Sequence, residues 1–175
     1  MRGPEALCAA LLAATALAFA ATPCAAQTTQ TMQVSAAIVK GCTIAATGGG
    51  QWGSIDFGTV NGMAQGTTDA SLISTAGAGI QLECTPGTTI SVSADTGTHA
   101  SNGVRQLGLN GGTTATVTYQ LFADGSTTPW TTQALSIAFP VGTSKRTLPV
   151  LGRATFARPM AAGAYSDTVR VTITW

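Results

Sequence analysis

Gly163-Ala164-Tyr165-Ser166-Asp167-Thr168-Val169-Arg170-Val171-Thr172-Ile173-Thr174-Trp175 is the stretch that decides the fold. Tyr165, Val169, Val171, Ile173 and Trp175 share one parity, and Ser166, Thr168, Arg170, Thr172 and Thr174 share the other. Side chains of a strand point alternately to opposite faces, so this period of two predicts a half-buried β-strand with Trp175 continuing the inward row. The sequence ends at Trp175 on this strand, its most strongly patterned one, and no later segment is expected to pair beside it. An unpaired strand edge is a template for another chain. The expectation is therefore that this edge is covered by a second molecule.

Working outward, shorter alternating runs recur with turn signals between them. Ile80, Leu82 and Cys84 share a parity, as do Ile90, Val92 and Ala94, then Ala115, Val117, Tyr119 and Leu121, with Leu148, Val150, Ala154 and Phe156 further on. Pro86-Gly87, Asp124-Gly125 and Gly142 punctuate them. Strands are expected over 31–42, at Ile55–Phe57, within 71–84, and over 89–94, 113–122, 135–139 and 147–156. Residues 61–69, the polar stretch 95–112 and the Lys145-Arg146 turn read as loops. Many short strands joined by Gly-rich turns, with no amphipathic helical period and no internal repeat, predict an all-β sandwich.

The N-terminus reads differently. Arg2 opens a basic start blunted by Glu5, Ala6 to Ala21 is almost wholly apolar, and Cys24-Ala25-Ala26 supplies the small residues of a signal-peptidase site. Residues 1–26 are expected to be a signal peptide, with Gln27 the first mature residue. The apolar run is too short and Ala-rich to favour a membrane span, and no second candidate follows. The alternative, a lipidated Cys24, meets a poor lipobox in Ala21-Thr22-Pro23. About 150 residues then remain, enough for one core.

Of 175 residues only 9% are charged, and the formal net charge is +1. No basic patch for nucleic acid and no polybasic tail for lipid is present. Removal of the leader takes Cys8 and Cys24 and leaves Cys42 and Cys84, a single pair in an exported chain. The expectation is one disulfide, closing a loop of about 43 residues and worth on the order of 4 kcal/mol. Two buried free thiols are the alternative.

Catalytic chemistry finds little support. The one histidine, His99, lies in a polar stretch and is expected to be solvated. The carboxylates Asp56, Asp69, Glu83, Asp95, Asp124 and Asp167 are scattered singly. Asp95-Thr96-Gly97 matches the aspartic-protease triplet but is equally an ordinary turn. The Gly-rich runs open no helix, so they are not phosphate cradles. No metal site and no cofactor is expected, and the chain is not expected to be an enzyme. Trp52 and Trp130, read as loop residues, could stack on a sugar.

The terminal pattern Gly-x-Tyr-x-Asp-Thr-Val-x-Val-Thr-Ile-x-aromatic resembles the C-terminal signature of the spore coat protein U domain family, which includes pilin subunits of the archaic chaperone–usher pathway. Other pieces agree in order: Gly41-Cys42, Phe57-Gly58, Cys84-Thr85-Pro86-Gly87, Tyr119-Gln120-Leu121-Phe122, Trp130 and Pro159. The chain departs where many relatives carry Arg-x-Met, reading Arg105-Gln106-Leu107.

The resemblance implies an immunoglobulin-like β-sandwich over 40–175 that lacks its last strand and is completed by donor-strand complementation. It implies a periplasmic chaperone, an outer-membrane usher and neighbouring pilin subunits as partners, and a surface fimbrium supporting adhesion and biofilm formation. Residues 27–39 would be the donor segment, offering Met32, Val34, Ala36 and Ile38. The acceptor groove would be lined by Tyr165, Val169, Val171, Ile173 and Trp175. Pattern alone leaves open an ordinary first strand packed in its own domain. A coat or matrix protein of the same fold and a small sugar-binding adhesin remain the other readings.

Overall fold

The computed structural model describes residues 27–45, 50–111, 114–157 and 159–175. The expected leader, Gly48-Gly49 and the first residue of the strand expected at 113–122 lie outside them. The chain divides into two units, Met1–Ala37 and Ile38–Trp175. In the first, residues 27–37 are exposed and belong to no strand. Of the strand expected over 31–42 only Cys42 is in a strand; residues 31–41 form none among the described residues. Alternation supplies a face, but a strand also needs a partner for its backbone groups.

The second unit is built wholly of strands and turns among the described residues. Cys42–Ile44 is β1, Gly66–Ser71 is β2, and Ile73–Ser74 (β3) and Gly77–Ala78 (β4) form a small hairpin. Ile80–Cys84 is β5, Thr89–Ala94 is β6, Gln106–Leu109 is β7 and Thr116–Ala123 is β8. Leu135–Ala138 (β9), Lys145–Leu148 (β10), Val150–Phe156 (β11), Tyr165–Ser166 (β12) and Val171–Thr174 (β13) complete the series. No helix among the described residues is long and apolar enough to cross a membrane.

One layer is a five-stranded antiparallel sheet in the order β12-β7-β8-β11-β2. The other consists of two three-stranded sheets, β1-β5-β10 and β13-β6-β9. These two are continuous along one ribbon pair. Cys84 N–H bonds Ser144 O at 2.8 Å, Gly87 N–H bonds Phe139 O at 2.7 Å, and Phe139 N–H bonds Thr88 O at 2.8 Å. These bonds carry the pairing across the Pro86-Gly87 interruption. The expected parity holds: Ile80, Leu82, Cys84, Ile90, Val92, Ala94, Val117, Tyr119, Leu121, Leu148, Val150, Ala154 and Phe156 are all buried in one core.

Three loop expectations fail. Residues 66–71 form a strand, because β11 supplies a full ladder from Phe156↔Gly66 to Leu151↔Ser71. There Arg153 is directly opposite Asp69 and donates to both its oxygens, at 2.6 and 2.7 Å, while stacking on Phe122 at 5.4 Å. Residues 106–109 pair with β8, and Lys145-Arg146 pair with Glu83 and Leu82. Backbone pairing needs no apolar pattern, so β2 and Lys145-Arg146 carry little sequence signal, and in β7 only Leu107 and Leu109 stand out of a polar stretch. The strand expected at Ile55–Phe57 does not form; the single bridge there is made by the preceding residue, Ser54↔Ile73. Ile55 and Phe57 nonetheless pack on the core over Gly152, where a Cβ would meet Phe57 and Ile55 side chains at 2.8 and 2.9 Å.

Cys42 and Cys84 are register partners in β1 and β5 and are joined by a disulfide. Thr85 N–H bonds Gly41 O at 2.9 Å, and Gly41 N–H bonds Thr85 Oγ1 at 3.1 Å. The exposed N-terminal segment is thus rooted at its base by a covalent link and these hydrogen bonds.

Candidate functional site

The terminal segment is one sequence pattern but two strands. Tyr165↔Leu109 and Ser166↔Gly108 place its start at the edge of the five-stranded sheet. Val171↔Ala94, Thr172↔Ser93, Ile173↔Val92 and Thr174↔Ser91 place its end at the edge of the opposite layer. Between them, residues 167–170 cross from one layer to the other. Each part has one strand neighbour, and the other edge has none among the described residues.

The apolar row is half-buried. Tyr165, Val169, Val171 and Ile173 all pack against the core without being enclosed by it. Trp175 does not continue the row inward: it is 58% exposed. It lies one residue beyond Thr174, the last residue of β13 paired with β6. The chain therefore presents a half-buried apolar row on an open strand edge. It also presents a second, separate apolar row: Met32, Val34 and Ile38 are 85%, 82% and 90% exposed, and Ala36 is exposed between them.

Asp167, which interrupts the apolar parity, lies at the crossing with its side chain 2% exposed. Its Oδ2 accepts from the Tyr119 hydroxyl at 2.6 Å. Its Oδ1 accepts from Thr98 N–H at 2.8 Å, Thr98 Oγ1 at 2.7 Å and His99 N–H at 3.1 Å, with His99 Nδ1 at 3.2 Å. Burial works to raise the carboxyl pKa. The bonds from Tyr119, from the Thr98 hydroxyl and from the Thr168 and Thr98 amides outweigh it and hold the group below the ordinary carboxylate value. Burial, followed by the hydrogen bond to Asp167, pushes the Tyr119 phenol far above its usual range, so it remains a donor.

A group with a depressed folded-state pKa stabilises the fold fully above its unfolded pKa, here 3.8, and loses that contribution as pH falls through the lower folded value. Urea titrations are accordingly expected to show unfolding free energy falling below about pH 4. The fall should be smaller in Tyr119→Phe, where a bond that lowers the carboxyl pKa is gone. Identical acid profiles for the two proteins would refute this account of Asp167.

Asp95 completes the crossing. Its Oδ1 accepts from Gly97 N–H at 3.0 Å and from Arg170 N–H at 2.9 Å, while Asp95 N–H donates to Arg170 O at 2.9 Å. The Asp-Thr-Gly triplet is an Asx turn that binds the terminal segment. Gly97 has φ +86°, and a Cβ there would run into Asp167 Oδ2, so no other residue fits. His99, expected to be solvated, is half-exposed with its ring laid on Gly108.

Trp130 is a buried core residue, 4% exposed, whose Nε1–H donates to Gln133 O at 3.1 Å. Its carbonyl accepts from the buried Arg105 guanidinium, which also donates to Asp95 O at 2.7 and 2.9 Å. Trp52 packs partly buried against the core. The loop positions expected to offer rings to a sugar are packed on the core instead. Among the described residues, no group of three or more His, Cys, Asp or Glu is placed to hold a metal ion.

Residues 28–172 match the spore coat protein U domain. The chain belongs to the spore coat protein U domain family. Among solved structures it is similar to a chain of the CsuC–CsuE chaperone–tip adhesion subunit pre-assembly complex from archaic chaperone–usher Csu pili of Acinetobacter baumannii. That match has a TM-score of 0.51 and 20% identity over 79% of this chain, which spans 40% of the other chain's length. A chaperone–usher pilus structure described for rod uncoiling matches with a TM-score of 0.49 and 16% identity, covering 88% of this chain and 99% of that one. No match was found among curated proteins. The fold of this spore coat protein U domain is all-β and immunoglobulin-like.

Proposed function

We propose that this chain is a structural subunit of a surface pilus, assembled through a periplasmic chaperone and an outer-membrane usher, and that the pilus supports adhesion and biofilm formation. The observation that carries the proposal is a pair of complementary surfaces in one chain. Val169, Val171 and Ile173 form a half-buried row on an edge unpaired among the described residues, and Met32, Val34, Ala36 and Ile38 are exposed and in no strand. An extended segment added to a sheet edge gains main-chain hydrogen bonds along its length and inserts alternate side chains between the layers. Residues 27–39 of one subunit then serve as donor strand, and the terminal segment of the next borders the acceptor groove. Each Val- or Ile-sized side chain buried this way contributes roughly 1.5–3 kcal/mol, so several together make release slow. Family membership and the CsuC–CsuE likeness in fold support the same reading.

The chaperone requirement gives the first test. Exported alone, the chain is expected to polymerise or aggregate; co-expressed with the chaperone of its pathway, it is expected to leave the periplasm extract as a soluble one-to-one complex. A stable soluble monomer, with residues 27–39 ordered inside its own sheet, would overturn the proposal.

A further inference from the structure

The crossing at 167–170 has a property that the apolar pattern around it does not explain. An apolar residue at 167 would continue the inward row from Tyr165 to Val169 and would bury without the desolvation cost of a carboxylate. Asp167 instead carries a charge into a position 2% exposed and spends both oxygens on two different layers. Oδ2 holds Tyr119 of β8, in the five-stranded sheet. Oδ1 holds Thr98 and His99, which follow closely on β6 of the opposite layer. Asp95, the residue after β6, is hydrogen-bonded both ways to the Arg170 backbone. The charged and titratable groups facing Asp167 are thus Tyr119 and His99, with Arg105 and Asp95 close enough to act on the same cluster.

β13 is short and, among the described residues, has a single neighbour. Its placement is therefore weakly determined by its own ladder and depends on how the chain is delivered to it. We infer that Asp167 is the positioning residue of the acceptor edge: by tying β8 to the 95–99 loop where the chain changes layers, it sets the separation of the layers beside Val169, Val171 and Ile173. This rests on the reading of that edge as an acceptor groove. The two oxygens have different requirements. Thr98 and His99 amides demand an acceptor, whereas the Tyr119 hydroxyl can turn and accept instead of donating. Asparagine meets both conditions, with its oxygen toward Thr98 and its amide toward Tyr119; leucine matches the size and meets neither.

The test uses the exported chain, unfolded and then refolded at high dilution with an excess of a fluorescent peptide of residues 27–40, and reads the yield of captured peptide. Wild type captures the peptide. Asp167→Ala is expected to lose capture by about tenfold or more. Asp167→Asn should recover it to within a few-fold, while Asp167→Leu should not. Val150→Ala, a cavity in β11 away from the crossing, should lower the urea midpoint yet leave capture within about twofold. Amide exchange over 170–174 should accelerate in Asp167→Ala and not in Val150→Ala. If Asp167→Ala does not fold, Tyr119→Phe, which removes one hydroxyl and keeps the ring, should still reduce capture several-fold. Recovery by leucine as full as by asparagine, capture unchanged in Tyr119→Phe, or an equal loss in Val150→Ala overturns the positioning role alone. No capture by wild type overturns the pilus reading and the positioning role together.

Discussion

Ile38→Asp is expected to abolish fibre assembly while leaving chaperone binding intact. Ile38 is 90% exposed in its own chain, so the substitution removes no packing from the subunit that carries it. In the assembled fibre the same side chain would leave water for a neighbour's groove. Losing the isoleucine there forfeits roughly 1.5–3 kcal/mol of burial. Placing a carboxylate among Val169, Val171 and Ile173 adds the larger cost of desolvating an unpaired charge. On the proposed reading the variant's own acceptor edge is unaltered, so a chaperone strand is expected still to bind it. Polymer ladders on denaturing gels and electron microscopy of surface fibres measure assembly, and co-purification measures chaperone capture. Equal loss of both would place Ile38 in the subunit's own core and remove the donor role from residues 27–39.

Removing the disulfide with Cys42→Ser and Cys84→Ser is expected to cost on the order of 4 kcal/mol, because the link closes a long loop of the unfolded chain. The native side of the balance points the same way. β1 is only three residues long, paired to β5 by its backbone, and Cys84 is itself 3% exposed, so two hydroxyls would replace a buried apolar contact. If residues 27–39 act as the proposed donor strand, the consequence reaches assembly, since Gly41 and Cys42, at the end of that segment, are held to Thr85 and Cys84. Without the link, tension on that segment falls on a three-residue ladder. Urea midpoints of the oxidised and double-serine proteins measure the cost, and non-reducing peptide mapping should recover Cys42 joined to Cys84. Coincident midpoints would show that the cross-link contributes nothing to the fold.

Most core strands were legible because each buries one face. At 80–84, 89–94, 116–123 and 150–156 the period of two names both the strand and its inward residues. β2 was not legible: Gly66-Thr67-Thr68-Asp69-Ala70-Ser71 has no apolar row, and only the β11 ladder and the Arg153–Asp69 pair reveal it. The disulfide followed from cysteine number and the expected export, and the structure joins the same two residues. At the candidate site, the apolar row from Tyr165 to Ile173 was read correctly as core-facing, but its division between two sheets was hidden. Nothing local marks a change of layer. The one clue was Asp167, a carboxylate on the inward parity.

By itself the sequence determined the fold class, the inward residues of the patterned strands and the cysteine pair. These follow from side-chain periodicity and from counting, which are properties of the chain alone. Only the tertiary structure decided that the terminal segment changes layers, that Asp167 and Asp95 hold the crossing, that Trp130 is core and that residues 27–37 belong to no strand among the described residues. Those depend on which backbone donors and acceptors find each other across tens of residues, and a polar group's partner leaves no period in the sequence for a reader to find.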